Sequence, residues 1–195
     1  MLGSKERNFA NRNKKKRKVK SFPGAKARKI VEEVRKLELK SKNSCVIAHA
    51  GSNDIYLRNN KVGSTEPAVK ELKCLVDSIS SKTTRGMIVG MLPRNYVSYY
   101  ALSKAIGVNE RIKRYCQEKE VGFIDLWEVF VGKRHYFSRD GTHLNEAGHR
   151  KLGEILSREC ERMMREITVT DQPSPLDTSG SDSLDHSFLG FPKEN

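Results

Sequence analysis

The sequence predicts an α/β domain of three layers, in which a parallel sheet lies between helices. Short continuous apolar runs, as expected for strands buried on both faces, alternate along the chain with amphipathic helical patterns. Such alternation is typical of parallel sheets. Polar or glycine-containing segments follow the predicted strands, at the sheet edge where such folds place their sites.

Four segments have the composition of strands. The first is short, covers residues 19–22 and ends at a Pro-Gly pair. The other three are continuous apolar runs that end at polar residues or at proline, and their length is typical of buried strands. They cover residues 45–50, 86–92 and 121–126.

Four helices are predicted from apolar residues that recur at three- and four-residue spacing. The second of them, for example, places Val69, Leu72 and Val76 on one side. A tyrosine-rich loop precedes the third. The four predicted helices cover residues 25–39, 66–80, 104–119 and 145–166.

The length of 195 residues suits one domain, and the charge divides the chain into three parts. Residues 1–44 hold 16 Lys and Arg against 4 Asp and Glu, which accounts for most of the net charge of +13. We therefore expect a basic N-terminal segment at 1–20 and a folded domain at 21–168. Residues 169–195, rich in Ser, Asp, Pro and Gly, are expected to be a disordered acidic tail.

The cysteines are widely spaced and lie within apolar patterns, without the spacing of metal ligands. They are Cys45, Cys74, Cys116 and Cys160. We expect buried free thiols, which imply a reducing compartment. No apolar run approaches the roughly 18 residues of a membrane span, and no signal-peptide core follows Met1. The expectation is a soluble intracellular protein, cytoplasmic or nuclear, that needs no metal and no cofactor.

Near the C-terminus, residues 139–145 place a carboxylate three residues before a histidine in a glycine-containing turn. At this spacing Asp140 can fold back and hold one imidazole nitrogen of His143 while the other nitrogen faces a cleft. A serine hydrolase needs this arrangement from its base and its orienting acid. The alternative interpretation is that Asp140 caps the following helix and His143 is only a polar turn residue.

A second segment, residues 49–54 (HAGSND), closes an apolar run. Together with the Asp140–His143 turn it resembles blocks III and V of the SGNH (GDSL-type) hydrolase superfamily, in particular the esterase-like domain of LINE-type retrotransposons. The resemblance extends from about residue 3 to about residue 158 and includes a match at residues 22–25 (FPGA). It implies a flavodoxin-like fold and hydrolysis of a carboxylic ester, acetyl or short acyl, through an acyl-serine intermediate.

The resemblance assigns a role to each site residue. His143 is the general base and then the general acid, because neutral imidazole exchanges protons near pH 7, and Asp140 fixes its tautomer. The side-chain amide of Asn53 and the backbone N–H of Gly24 form an oxyanion hole. Other interpretations stay open: Asn53 caps a helix or forms an Asx-turn, and Pro23-Gly24 is an ordinary turn.

The nucleophile implied by the resemblance is Ser4, which stands in Gly3-Ser4 where the family has a Gly-Asp-Ser triplet. Only Met1 and Leu2 precede Gly3, which is too short for the central strand of about five residues that carries this serine. We therefore expect a truncated or degenerate first block and a central strand that is missing or incomplete. A base and an oxyanion hole without a positioned nucleophile lose most of their rate advantage.

A dense basic run precedes the folded domain and consists of Lys14, Lys15, Lys16, Arg17 and Lys18. It resembles a nuclear localisation signal and could bind RNA or DNA in a salt-dependent manner, or it is a solvated loop. It supports a second hypothesis: a catalytically inactive, retroelement-derived domain that binds nucleic acid or protein through its basic N-terminus. The expected partners are thus a small acyl ester or RNA and DNA, and no membrane.

Overall fold

The computed structural model describes residues 18–56 and 63–170. They form three strands, six α-helices and one 3-10 turn. In chain order these are α1 (Ala27–Arg35), β1 (Val46–His49), α2 (Ser52–Ile55), α3 (Glu66–Ser80), β2 (Gly86–Val89), α4 (Tyr99–Glu118), β3 (Gly122–Ile124), α5 (Trp127–Phe130), the 3-10 turn Arg134–Tyr136 and α6 (Glu146–Thr170).

The three strands form one parallel sheet in the order β1-β2-β3. Val46 of β1 pairs with Gly86 of β2, and Met87 of β2 pairs with Gly122 of β3. α3 connects β1 to β2 and α4 connects β2 to β3, as expected of β-α-β units. The predicted α/β class with a parallel sheet is confirmed.

Alternate residues of β2 face two separate cores, and this defines the three layers. Ile88 packs in a core that includes residues of α1, α3 and α4. Met87 and Val89 pack in the other core with Phe130 of α5 and Ile155 of α6. All four residues of β2 are buried, which explains why its sequence is a continuous apolar run rather than an alternating one.

The prediction of a strand at residues 19–22 is wrong. Residues 18–22 are irregular and pair with no other strand in the described parts of the chain, and residues 23–24 form a turn. Val19 is 88% exposed, and Phe22 is only partly buried. So little buried apolar surface does not offset the conformational entropy of an ordered strand.

The other predicted helices and strands are present and differ from the prediction only at their ends, whereas α2, α5 and the 3-10 turn lie in segments predicted to be loops. α4 begins at Tyr99 rather than at 104 because the Ser98 hydroxyl caps it, accepting a hydrogen bond from the backbone N–H of Ala101 at 3.2 Å. α6 continues to Thr170, so the boundary expected at 168 falls inside this helix. The tail predicted beyond it lies outside the described residues and stays a prediction.

A buried asparagine fixes the end of β2 to α4. The Oδ1 atom of Asn109 accepts a hydrogen bond from the backbone N–H of Met91 at 2.9 Å, and Nδ2 donates to the Met91 carbonyl at 3.0 Å. Met91 lies just beyond the last paired residue of β2. The side chain therefore replaces a strand partner at the point where the chain enters the loop at 92–98.

The cysteines are all free thiols, as expected, but only Cys116 is fully buried. Burial raises the pKa of Cys45 and of Cys116 to about 12, so both thiols stay protonated at neutral pH. Within the described ranges, no helix is both long enough and apolar enough to cross a membrane.

Candidate active site

The segment that carries Asp140 and His143 is a turn built on an antiparallel bridge. Phe137 and Leu144 pair at its base, and both are buried. The chain reverses at Gly141, whose φ is +64°, in the left-handed region that favours glycine. Apolar packing at the base thus holds a polar turn at the protein surface.

Within this turn the Asp140 carboxylate holds the imidazole. Its Oδ2 atom lies 2.5 Å from Nδ1 of His143. Its Oδ1 atom accepts the backbone N–H groups of Thr142 at 2.9 Å and of His143 at 3.0 Å. The His143 side chain is 79% exposed. Because Nδ1 is occupied, Nε2 is the nitrogen left for proton transfer; the catalytic roles of the pair stay a prediction.

The electrostatics of the turn suit an orienting acid. The hydrogen bond with His143, together with the two backbone N–H donors, holds the pKa of Asp140 well below its usual range. Asp140 is therefore ionised at physiological pH. An ionised carboxylate at this distance stabilises an imidazolium, which is the form that a general base takes during the reaction.

The helix cap is Asn145, and the alternative interpretation of Asp140 as that cap is therefore wrong. Oδ1 of Asn145 accepts the backbone N–H of Gly148 at 3.0 Å. Its Nδ2 donates to the carbonyl groups of His135 at 2.7 Å and of Phe137 at 3.2 Å. Asn145 thus joins α6, the 3-10 turn and the bridge. This role of Asn145 was not predicted, although asparagine before a helix is a typical capping signal.

The Asn53 segment and the Gly24 turn lie together. Nδ2 of Asn53 donates to the carbonyl of Ala25 at 3.1 Å. The neighbouring Asp54 accepts the backbone N–H of Ala27 through Oδ2 at 2.9 Å, and so caps α1 from a distant part of the chain. These two contacts fix the position of the Gly24 turn relative to α2.

The conformations of these residues bear on their alternative interpretations. Asn53 lies inside α2, and the residue that precedes α2 is Gly51, so Asn53 is not the cap of this helix. Gly24 has φ of +70°, and no atom lies within 4 Å of a Cβ built on it. The turn conformation alone is therefore sufficient reason for glycine at position 24.

The loop that follows β2 connects the two segments. The backbone N–H of Asn95 donates to the carbonyl of Gly141 at 2.8 Å. The guanidinium carbon of Arg94 lies 4.1 Å from the centre of the Tyr56 ring, and Tyr56 directly follows α2, which carries Asn53. One loop therefore contacts both segments, and it follows the carboxyl end of β2, the edge where parallel sheets place their sites.

Several predicted site residues lie outside the described residues: Ser4, Lys14, Lys15, Lys16 and Arg17. The nucleophile and most of the basic run therefore stay predictions. Lys18 is described and exposed. In the part of the chain that the structure describes, no group of three or more His, Cys, Asp or Glu residues could hold a metal ion.

We expect Gly141→Ala to distort the turn. An added Cβ would overlap the ring of Tyr96 and lie 2.9 Å from Cβ of Asn95, in addition to strain of roughly 1–3 kcal/mol from the left-handed backbone. Gly132→Ala is the matched control, because Gly132 has φ of +70° but open space around it. The midpoint temperature of thermal unfolding should fall further for Gly141→Ala than for Gly132→Ala. Equal decreases in the two variants would contradict a steric contact with Tyr96.

Comparison with known proteins relates this architecture to one family of hydrolases. The chain matches the model of the GDSL-like lipase/acylhydrolase family over residues 4–151. It is similar in structure to a presumed acylhydrolase of Bacteroides fragilis, with 18% identity, a TM-score of 0.58 and 73% of each chain covered. The lipase/acylhydrolase of Enterococcus faecalis gives 19% identity and a TM-score of 0.54, covering 71% of this chain and 72% of that one.

A retrotransposon domain is also similar to this chain. The esterase domain of the ORF1 protein of the zebrafish ZfL2-1 retrotransposon is 25% identical, with a TM-score of 0.45, and the match covers 76% of this chain and 89% of that one. Among curated protein sequences there is no significant match.

Proposed function

We propose that this chain, which belongs to the GDSL-like lipase/acylhydrolase family, hydrolyses carboxylic esters of acetyl or another short acyl group. The observation that carries the proposal is the contact of 2.5 Å between Oδ2 of Asp140 and Nδ1 of His143. It leaves Nε2 free on a largely exposed side chain. A base held in this way is what acyl transfer to a serine hydroxyl requires.

In the proposed reaction the Ser4 hydroxyl attacks the carbonyl carbon of the ester while Nε2 of His143 takes its proton. When the tetrahedral intermediate collapses, that proton passes to the leaving alcohol and an acyl-serine remains. Water then attacks the acyl group with the same help from His143, and the carboxylic acid is released. Asp140 stays ionised throughout and keeps the proton on Nδ1.

We further propose that Asn53 and the backbone N–H of Gly24 bind the negative oxygen of the intermediate. The Asn53 amide has two N–H groups, and its bond to the Ala25 carbonyl uses one of them. Because that bond joins Asn53 to the residue after Gly24, the two donors are held near each other before substrate binds. Preorganised donors of this kind stabilise an oxyanion more than mobile ones do.

The test is labelling of the folded protein with a fluorophosphonate probe for serine nucleophiles. We expect labelling of the wild type, and its loss in both Ser4→Ala and His143→Ala. Ser52→Ala, which removes a partly buried serine of α2, is the matched control and should still label. Labelling that persists in Ser4→Ala would place the nucleophile elsewhere. A folded wild type that does not label would contradict the proposal.

A further inference from the structure

Arg94 lies at the junction of the two segments that form the candidate site. Its guanidinium carbon is 4.1 Å from the centre of the Tyr56 ring, and Tyr56, only 6% exposed, directly follows α2. The next residue in the loop, Asn95, binds the carbonyl of Gly141 at 2.8 Å. The arginine is therefore held between the helix of the oxyanion candidate and the turn of the general base.

The positive charge of Arg94 is poorly compensated. Among the described residues its guanidinium makes no hydrogen bond and no ion pair within 4.0 Å, although the residue is partly buried. Burial lowers the pKa of Arg94, while the nearby Tyr56 and Asp140 oppose that lowering. The Asp140 carboxylate is already bound to His143 and to two backbone N–H groups. The N–H donors of Arg94 are thus left for another acceptor.

Two other arginines of this protein, Arg111 and Arg134, do have acceptors. Arg111 donates to both carboxylate oxygens of Glu66, at 2.5 and 3.0 Å. The guanidinium carbon of Arg134 lies 5.0 Å from the centre of the Tyr96 ring, and this guanidinium donates to the hydroxyl of the same tyrosine. Stacking on an aromatic ring therefore does not account for the unused donors of Arg94, which lie beside the site.

We propose that Arg94 binds an anionic oxygen group of the ester substrate, a carboxylate or a phosphate, and so determines substrate specificity. This inference rests on the proposed esterase function. The guanidinium group is planar, so two of its N–H donors match two oxygens of a carboxylate or phosphate. Stacking also restricts the side chain before binding, which lowers the entropy cost. The substrate is then an ester with a negative charge near the ester bond.

The kinetic test compares charged and neutral esters of matched shape. In one pair, 4-acetoxybenzoate and its methyl ester, the charged member carries its charge on the alcohol side. In the other pair, mono-4-nitrophenyl glutarate and its methyl ester, the charged member carries its charge on the acyl side. For each pair, the quantity compared is kcat/KM of the charged ester divided by kcat/KM of the neutral ester. In the pair whose charge Arg94 binds, Arg94→Met should lower this ratio by roughly 10- to 100-fold, the size typical of a charge-assisted hydrogen bond.

The matched control is Arg139→Met, because Arg139 is an exposed arginine directly before Asp140. Arg139→Met removes the same charge from the same region. Its ratio of kcat/KM, charged ester over neutral ester, should change by no more than about twofold, since only the long-range electrostatic potential is altered. Arg94→Lys keeps the charge but loses the planar donors, so its ratio should lie between those of Arg94→Met and the wild type. Equal decreases in the Arg94→Met and Arg139→Met variants, or no decrease in either ester pair, would overturn the proposal.

A binding titration separates this inference from the esterase proposal, because it needs no turnover. The wild type and both Arg94 variants are titrated with benzoate and with phenyl phosphate in a calorimeter. The wild type should bind one of these anions, and Arg94→Met should bind the same anion with an affinity that is roughly 10-fold lower or weaker still. Thermal melts identify any variant that does not fold, in which case Arg94→Lys decides. Failure of folded wild type to bind either anion would refute the role of Arg94, whether or not the protein is an esterase.

Discussion

Replacing His143 by alanine is expected to lower kcat/KM for an unactivated acetyl ester by about 100- to 10,000-fold, the usual contribution of a general base. The midpoint of thermal unfolding should change by only a few degrees, because the side chain is 79% exposed and its contact is with the carboxylate of Asp140. Steady-state kinetics and a melting curve on the same preparation measure both effects.

Two further variants define what the His143 result means. Asp140→Asn keeps the shape of the side chain but removes its charge, so activity should fall while the turn stays in place. His149→Ala removes an exposed histidine of α6 and should leave the activity unchanged. If His143→Ala unfolds the protein, the histidine is structural; if Asp140→Asn retains full activity, the carboxylate does not orient the base.

The largest loss of stability is expected for Asn109→Ala. The substitution removes both partners of Met91, whose backbone N–H and carbonyl are bound by Asn109 at 2.9 and 3.0 Å inside the protein. Each buried polar group left without a partner costs about 1–3 kcal/mol, so the two together should lower the free energy of unfolding by roughly 2–6 kcal/mol. For a chain of this size that is a decrease in Tm of roughly 5–20 °C.

Gln117→Ala provides the comparison for Asn109, because it removes an exposed amide from the same helix. Its effect should be within about 0.5 kcal/mol. Activity offers a second readout, since Met91 leads into the loop that contacts the Asp140–His143 turn. An Asn109→Ala variant as stable as the wild type would mean that water or a rearranged loop satisfies the two Met91 groups.

The fold was predictable from sequence because its strongest signals are local and periodic. β2 is buried on both faces, and a continuous apolar sequence is what such burial predicts. The Glu66–Ser80 helix was predicted with its observed bounds, since its apolar side packs on the sheet. The proximity of Asp140 and His143 followed from their spacing in one turn.

The rest depends on contacts that sequence spacing does not show. Asp54 caps a helix that lies earlier in the chain, and Arg94 stacks on Tyr56, far from it in sequence. Both contacts exist only once the layers have packed. The strand predicted at residues 19–22 failed for the same reason: a strand requires a neighbour and buried surface, and local composition specifies neither.

The short distance in sequence between Asp140 and His143 has a kinetic consequence. Their contact closes a loop of three residues, and the chain entropy lost on closure increases with loop length. Contacts that are local in sequence also tend to form early in folding. The oriented imidazole can therefore assemble independently of the segment that holds Ser4. Imidazole attacks activated esters by itself, so a slow hydrolysis of such esters that needs His143 but not Ser4 should accompany the serine-dependent reaction.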